Sequence, residues 1–413
     1  MSFSYKNQSL HAESVDIADL MQSYGSPLYV YSRTDIENNW REFDLAFGDH
    51  PHLVCYAVKA NSNIAVLNVL AKIGAGFDIV SIGELERVLA AGGDANKCVF
   101  SGVAKTVIEI KRGLEVGIRC FNVESDAELD RIEQVASSMN VQAPISIRVN
   151  PNVDAKTHPY ISTGLKENKF GVDIDDAIAL YEKAHHSSHI NVQGLDCHIG
   201  SQLTDVSPFL DALDKVLDLI DKLNDRGIEI AHLDLGGGVG IRYDDEVTID
   251  ITAYVGEVLK CVGDLEIILE PGRAIVGNAG VFVTKVEFLK QNSAKSFAII
   301  DGAMNDLLRP AFYNAYHNVL PVHENAKGID ATWDLVGPIC ETGDFLAKDR
   351  QLSLSADDYL AVMSAGAYGF TMSSNYNSRP RVAEVMVADD AHHLIRKRET
   401  IQDLFNTETL IND

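Results

Sequence analysis

HLVCYAVKANSNIAVLNVLAKIGAGFDIVSIGELERVLAAGG, residues 52–93, holds one pattern twice over. An apolar, β-rich run (52–58) gives way to a segment of helical period (63–74), and a second such run (76–81) gives way to a second helical segment (82–93). Working outward, β-rich runs recur as KCVFSG (97–102), RCFNVE (119–124), PISIRVN (144–150), NVQGLDCHIG (191–200), IAHLDLGGG (230–238) and LEIILEPG (265–272). Helical periodicity returns in DAELDRIEQVASSM (126–139) and in SPFLDALDKVLDLIDKLNDRG (207–227), which opens on Ser-Pro and closes on Gly. Eight strands alternating with helices predict an α/β chain built on a (β/α)8 TIM-type barrel. A doubly wound open sheet is the rival, but neither a GxGxxG after the first strand nor a P-loop motif supports it.

After Arg273 the texture changes. VFVTKVEFLKQ (281–291), KSFAIID (295–301), ATWDLVG (331–337) and DYLAVMSAG (358–366) are alternating or apolar runs with few helices between them, which predicts a mainly β second domain. The expected division is a barrel over residues 26–275 and a mainly β domain over 276–413 joined by residues 1–25. PLYVYS (27–32) is a strand ahead of the first barrel strand; it could serve the barrel entrance, but we favour its crossing to the second domain.

The chain carries a formal charge of −25 with 46% hydrophobic and 23% charged residues, a balance that excludes disorder as its main state. The acidity is spread out and reads as solubility; the lack of a basic stripe argues against nucleic acid as a partner. The opening MSFSYKNQSLHAESVDIADL has neither a basic n-region nor an apolar h-region, and no run reaches membrane-spanning length, so a cytoplasmic protein with no membrane partner is expected. Cys55, Cys98, Cys120, Cys197, Cys261 and Cys340 show no CxxC spacing, and no metal is expected. The first four sit in apolar runs and read as core residues, whereas Cys340 lies in the polar segment GPICETGD.

Barrel enzymes place their chemistry at the C-terminal ends of the strands, and the unusual residues fall there. Strand one ends in Lys59, strand two in Asp78 and Ser81, strand five in Arg148 and Asn150, and strand six in His198 and Ser201. Strand seven ends in Gly236, Gly237 and Gly238, and strand eight in Glu270 and Arg273. Alone, each has a plain alternative: a snorkelling lysine, a tight glycine turn, a hydrogen-bonded core histidine, a Glu270–Arg273 salt bridge. Six strands delivering such ends to one face make a site. An amine that can form a Schiff base, glycine N–H groups that can hold a phosphate, and a carboxylate that can keep a pyridine nitrogen protonated together suggest pyridoxal 5′-phosphate.

YAVKAN, FDIVSIGEL, HIGSQ, LDLGGG and EPGR, in this order and spacing, resemble the pyridoxal-phosphate decarboxylases of the alanine-racemase-like fold, the group containing the ornithine, arginine and diaminopimelate decarboxylases. The resemblance runs from about residue 25 to about residue 390. Within the group, RPAFYNAYH (309–317), VGPICETGD (336–344) and SAGAYGFTMSSNYNSRPR (364–381) look most like the diaminopimelate decarboxylases. The resemblance implies Lys59 as the Schiff-base lysine, His198 as the ring-stacking residue and Glu270 as the partner of the pyridine nitrogen. It puts Ser201, Gly236, Gly237, Gly238 and Arg273 on the phosphate side, with Asp78, Gly272 and Tyr368 completing the cofactor set. For an amino-acid substrate it implies Arg273, Arg309, Tyr313, Glu341 and Tyr368, with Cys340 or Lys59 protonating the α-carbon. It further implies a homodimer in which Cys340 and Glu341 reach the neighbouring subunit's site.

The chemistry of diaminopimelate agrees with this set. Its far end is a second amino-acid group and needs a cation and an anion together, which Arg309 and Glu341 supply; ornithine would need only the anion. The alternatives are another basic amino-acid or carboxylated-polyamine decarboxylase of the group, and a non-catalytic cofactor-binding or regulatory homologue. RPAFY and CETGD speak against the first, and the intact lysine and glycine run against the second.

Overall fold

Each of the eight expected strands is present in the computed structural model, which describes residues 2–154, 168–324 and 327–411. They are His52–Ala57, Gly76–Ile79, Cys98–Phe100, Cys120–Val123, Ala143–Asn150, Ile190–Asp196, His232–Asp234 and Glu266–Leu269. Each pairs in parallel with the next, and the barrel closes where Ile267, Ile268 and Leu269 face His52, Leu53 and Val54.

The expected helices appear as Ile64–Lys72, Ile82–Ala90, Asp126–Met139 and Ser207–Asn224. Asn63, Ser81 and Ser125 start the first three by accepting a first-turn N–H that has no partner within the helix. Ser207–Asn224 buries Phe209, Leu213, Val216, Ile220 and Leu223 at three- and four-residue spacing. Asp211, Asp214, Asp218 and Asp221 are exposed along the same helix, so part of the acidic excess is a solvated helix face. Inside the barrel Cys55, Val99, Cys120 and Ile268 form a small apolar cluster, and Cys98 and Cys197 are buried too. The His232 ring is buried with Nε2 2.9 Å from Ser146 Oγ, and a Cβ on Gly194 would lie 2.1 Å from that nitrogen. Glycine at 194 makes room for the ring.

The chain divides into two compact units, Glu37–Ile241 with Val247–Ile275, and Met1–Ile36 with Arg242–Glu246 and Val276–Asp413. The second is mainly β. Its sheet runs in the order Phe345–Leu354, Ile329–Val336, Ser296–Ile300, Gly280–Gln291, Leu28–Ser32, Ala383–Ala388, Ala391–Arg396. Tyr359–Val362 also pairs with Gly280–Gln291 and carries Val319–Pro321. Leu20, Met21, Val30, Val283, Val322 and Val385 belong to its core.

Leu28–Ser32 lies between Gly280–Gln291, antiparallel, and Ala383–Ala388, parallel, with all five residues buried. The units therefore part later than the boundary expected at residue 26, after Ile36 and inside the helix Arg33–Ala46, and residues 242–246 also leave the barrel unit. The apolar run of PLYVYS signals a strand; its pairing partners, far along the chain, decide to which unit it belongs. Among the described residues no helix is long and apolar enough to cross a membrane.

Candidate active site

The first barrel strand ends at Ala57, and a single tight turn, Val58–Ala60, then presents Lys59. Ala57 is the register partner of Asp78 on the second strand, and Lys59 Nζ forms an ion pair with Asp78 Oδ2. The Asp78 side chain is fully buried while that of Lys59 keeps 35% exposure, so a buried acid is matched by an amine that still reaches solvent. Ser81 serves elsewhere: its hydroxyl accepts from Glu84 N–H at 3.2 Å and caps the next helix.

Strands six, seven and eight bring Asp196, Asp234 and Glu270 together, one carboxylate oxygen from each lying within 4.8 Å of the others, all buried. Burial first, and then the charge of Asp196 on Asp234 and of Asp234 on Glu270, push the last two carboxyls well above their ordinary range. Burial likewise pushes Asp196 up to about 7, against the pull of Arg148. Arg148 is itself held by Glu124, Nη1 to Oε1 at 3.1 Å. The trio offers the oxygen atoms a hard cation takes.

Asp234 Oδ1 accepts from Gly236 N–H at 2.8 Å. Glu270 Oε1 is buried and has no hydrogen-bond partner among the described residues. An unpaired acceptor in a dry site is costly unless a ligand brings it a donor. A protonated pyridine nitrogen is such a donor, so the residues present fit the cofactor that the strand ends suggest.

The three glycines are demanded by close approach. A Cβ on Gly237 would stand 2.3 Å from the Glu270 carbonyl oxygen, and one on Gly238 2.6 Å from the Gly200 carbonyl oxygen. Gly236 has φ +68°, and its Cβ would lie 2.5 Å from His198 Nδ1. The run is thus threaded between HIGS and EPG, and Gly237 N–H donates to His198 Nδ1 at 3.1 Å. With Nδ1 accepting, the imidazole proton sits on Nε2. Loss of water, then the charges of Arg148 and Lys59, hold His198 well below its usual range, so the ring is neutral. Arg273 Nη2 donates to Ser201 Oγ at 3.1 Å, joining strands six and eight, and a Cβ on Gly272 would touch Ala57 and Ala60 at 3.0 and 3.1 Å.

The barrel unit thereby gathers Lys59, Asp78, His198, Ser201, Gly236 to Gly238, Glu270, Gly272 and Arg273. The other five expected residues lie in the second unit on three segments. Arg309 is buried at the start of Arg309–Tyr313, its guanidinium 4.6 Å from the Tyr243 ring centre. Tyr313 is half-buried and packs edge-on against Phe312. Cys340 and Glu341 are exposed in the loop after Ile329–Val336. Asp344 ties that loop down by accepting from Met304 and Ile339 N–H, each at 2.7 Å; Asn377 Oδ1 accepts from Cys340 N–H at 2.9 Å. Tyr376 O–H donates to Glu341 Oε1 at 2.5 Å. Tyr368 is half-buried with φ +55°.

The sequence reading did not single out Asp196, Asp234, Tyr376 or Asn377. The first two had a signal, an aspartate inside an otherwise apolar strand, two residues before His198 and Gly236. The other two had none beyond lying in SSNYNSRPR.

Residues 33–277 match the pyridoxal binding domain of the pyridoxal-dependent decarboxylases. A diaminopimelate decarboxylase of Vibrio cholerae is 58% identical over 413 residues, 99% of each chain, and one of Haemophilus influenzae is 57% identical over 412 residues, again 99% of each. The solved diaminopimelate decarboxylase of Helicobacter pylori, complexed with L-lysine, matches with a TM-score of 0.92 at 42% identity, covering 95% of this chain and 99% of that one. With residues 33–277 matching that domain and relatives alike along nearly their whole length, the chain belongs to the diaminopimelate decarboxylase family of pyridoxal-dependent decarboxylases.

Proposed function

We propose that the barrel mouth carries out the decarboxylation of meso-2,6-diaminopimelate to L-lysine and carbon dioxide, the last step of lysine biosynthesis, with pyridoxal 5′-phosphate as cofactor. The observation that carries this reading is the buried, unpartnered Glu270 oxygen in the same barrel as Lys59. When bound, the cofactor supplies an electron sink for the bond to the departing carboxylate.

Lys59 would hold the cofactor through its amine, and Asp78 keeps that amine in place. Glu270 would face the ring nitrogen and, as a carboxylate in a dry site, balance the positive charge of the protonated ring. A neutral His198, fixed by Gly237 N–H, offers a flat ring face without adding positive charge. Ser201, Arg273 and the glycine run would take the phosphate; Gly237 N–H already serves His198, which leaves that task to its neighbours. Tyr368 would add a contact to cofactor and substrate.

At the distal end of the substrate, Arg309, Arg273 and Tyr313 would hold the carboxylate and Glu341 the ammonium. Cys340 or Lys59 would deliver the proton to the α-carbon. Exposure of both Cys340 and Glu341 in the single chain supports their service to the site of a second subunit in a homodimer. Six free cysteines suit a reducing compartment, and we place the enzyme in the cytoplasm.

The test is to reduce the holoenzyme with borohydride, map the labelled peptide, and assay meso-diaminopimelate, ornithine and arginine side by side. A pyridoxyl label on Lys59, with lysine and carbon dioxide formed from diaminopimelate alone, is the expected result. A label on another lysine, or turnover of ornithine in preference, would overturn the reading.

A further inference from the structure

We infer that His317 is a positioning residue for substrate recognition: its neutral imidazole aims the Arg309 guanidinium at the distal carboxylate without cancelling its charge. This rests on the assignment of Arg309 to that carboxylate.

Arg309 and His317 are both buried, at 7% and 0% exposure, and Arg309 Nη1 lies 2.9 Å from His317 Nε2. An arginine can only donate, so Nε2 must carry the lone pair. The proton then sits on Nδ1, which lies 2.8 Å from the Met363 carbonyl oxygen and donates to it. Both ring nitrogens are committed and a single tautomer results. Protonating the ring would set a second N–H against the guanidinium, with no lone pair between two buried cations. Tyr243 completes the clamp, its ring under the Arg309 guanidinium and edge-on to His317 at 5.3 Å.

The backbone explains why these two side chains meet. The helix Arg309–Tyr313 ends at Asn314 in the left-handed conformation, φ +52°, which turns the chain back. Val319–Pro321 then pairs with Tyr359–Val362, and Met363 N–H donates to the Asn318 carbonyl at 2.8 Å, placing the Met363 carbonyl beside His317.

The choice of histidine has a physical reason. A carboxylate at this position would form a salt bridge with Arg309 and compete with the substrate's own carboxylate. A neutral imidazole takes one N–H and fixes the rotation of the planar fork without bringing a counter-charge of its own.

His317→Gln and His317→Asn separate positioning from structural support. The longer Gln can offer its amide oxygen where Nε2 stood, toward Arg309. The shorter Asn can keep the donor to Met363 but does not reach the guanidinium. Holoenzymes of both, and of Arg309→Lys, are assayed for kcat and KM with diaminopimelate and for equilibrium binding of L-lysine, which retains the distal amino-acid group. His317→Asn should raise KM and the lysine Kd about tenfold, the scale of one lost charge-assisted hydrogen bond, with kcat within about threefold of wild type. His317→Gln should return both constants to within about threefold of wild type. Asn performing as well as Gln, or Gln as poorly as Arg309→Lys, overturns the inference; should Asn not fold, the Gln comparison decides alone. If Arg309→Lys itself leaves KM and the lysine Kd unchanged, the assignment of Arg309 fails, and the inference with it.

Discussion

His232 shows how one residue in the barrel core sets a pH limit. Burial first, and then the charge of Arg119, lower it to about 3 from the ordinary 6.5. Between these values the unfolded chain binds a proton that the folded barrel refuses, so this group lowers stability as pH falls from about 6.5 to about 3 and has no effect above that window. The slope is about 1 kcal/mol per pH unit. Asp196, raised to about 7, acts with the opposite sign: its stabilising contribution is present below the ordinary carboxylate value and is lost as pH rises through 7. Comparison with His232→Gln cancels such terms. From pH 7.5 to 5.0 the wild type should lose about 2 kcal/mol relative to that variant in urea unfolding. Equal losses in both proteins would mean that His232 is charged in the fold.

At the level of elements, the turn after the seventh strand leaves no room for a side chain. A Cβ at Gly237 would meet the Glu270 carbonyl, a backbone atom that cannot swing aside. Gly237→Ala should push the ends of strands seven and eight apart, weaken the hold on His198, displace Glu270, and lower stability by about 2 kcal/mol. Cofactor affinity should fall at least about tenfold. Gly256, within the helix Ile251–Leu259, has nothing within 4 Å of its Cβ position, and Gly256→Ala should leave cofactor binding alone and raise stability by about 1 kcal/mol. Thermal unfolding and cofactor titration of both variants check the contrast; similar losses in the two would show that packing at the turn is not what requires glycine.

The whole-molecule question is whether one chain makes a complete site. Lys59 belongs to the barrel unit, while Cys340 and Glu341 belong to the second and stand exposed in the single chain. With sites shared across a two-fold axis, Lys59→Ala and Glu341→Ala chains, each inactive alone, should complement when mixed and allowed to exchange. A mixed dimer then has one site with both lesions and one with none. With half the dimers mixed, activity should recover to roughly a quarter of wild type. No recovery, once exchange is confirmed by mass, would show that each chain supplies its own Glu341.

The sequence alone determined the eight barrel strands, the four expected helices, the mainly β character after Arg273 and the ionisable residues at the strand ends. These are local signals: periodicities of two and of 3.6 residues, end signals such as the Ser-Pro and Gly that bound 207–227, and polar residues just beyond apolar runs. Tertiary structure alone decided that Asp196, Asp234 and Glu270 share one dry space, because barrel closure, and no local pattern, brings the ends of strands six, seven and eight together. It likewise decided that Leu28–Ser32 sits between strands from the far end of the chain, and that His317 meets Arg309. Alternation tells which way a side chain faces; only the pairing of distant segments tells what it faces.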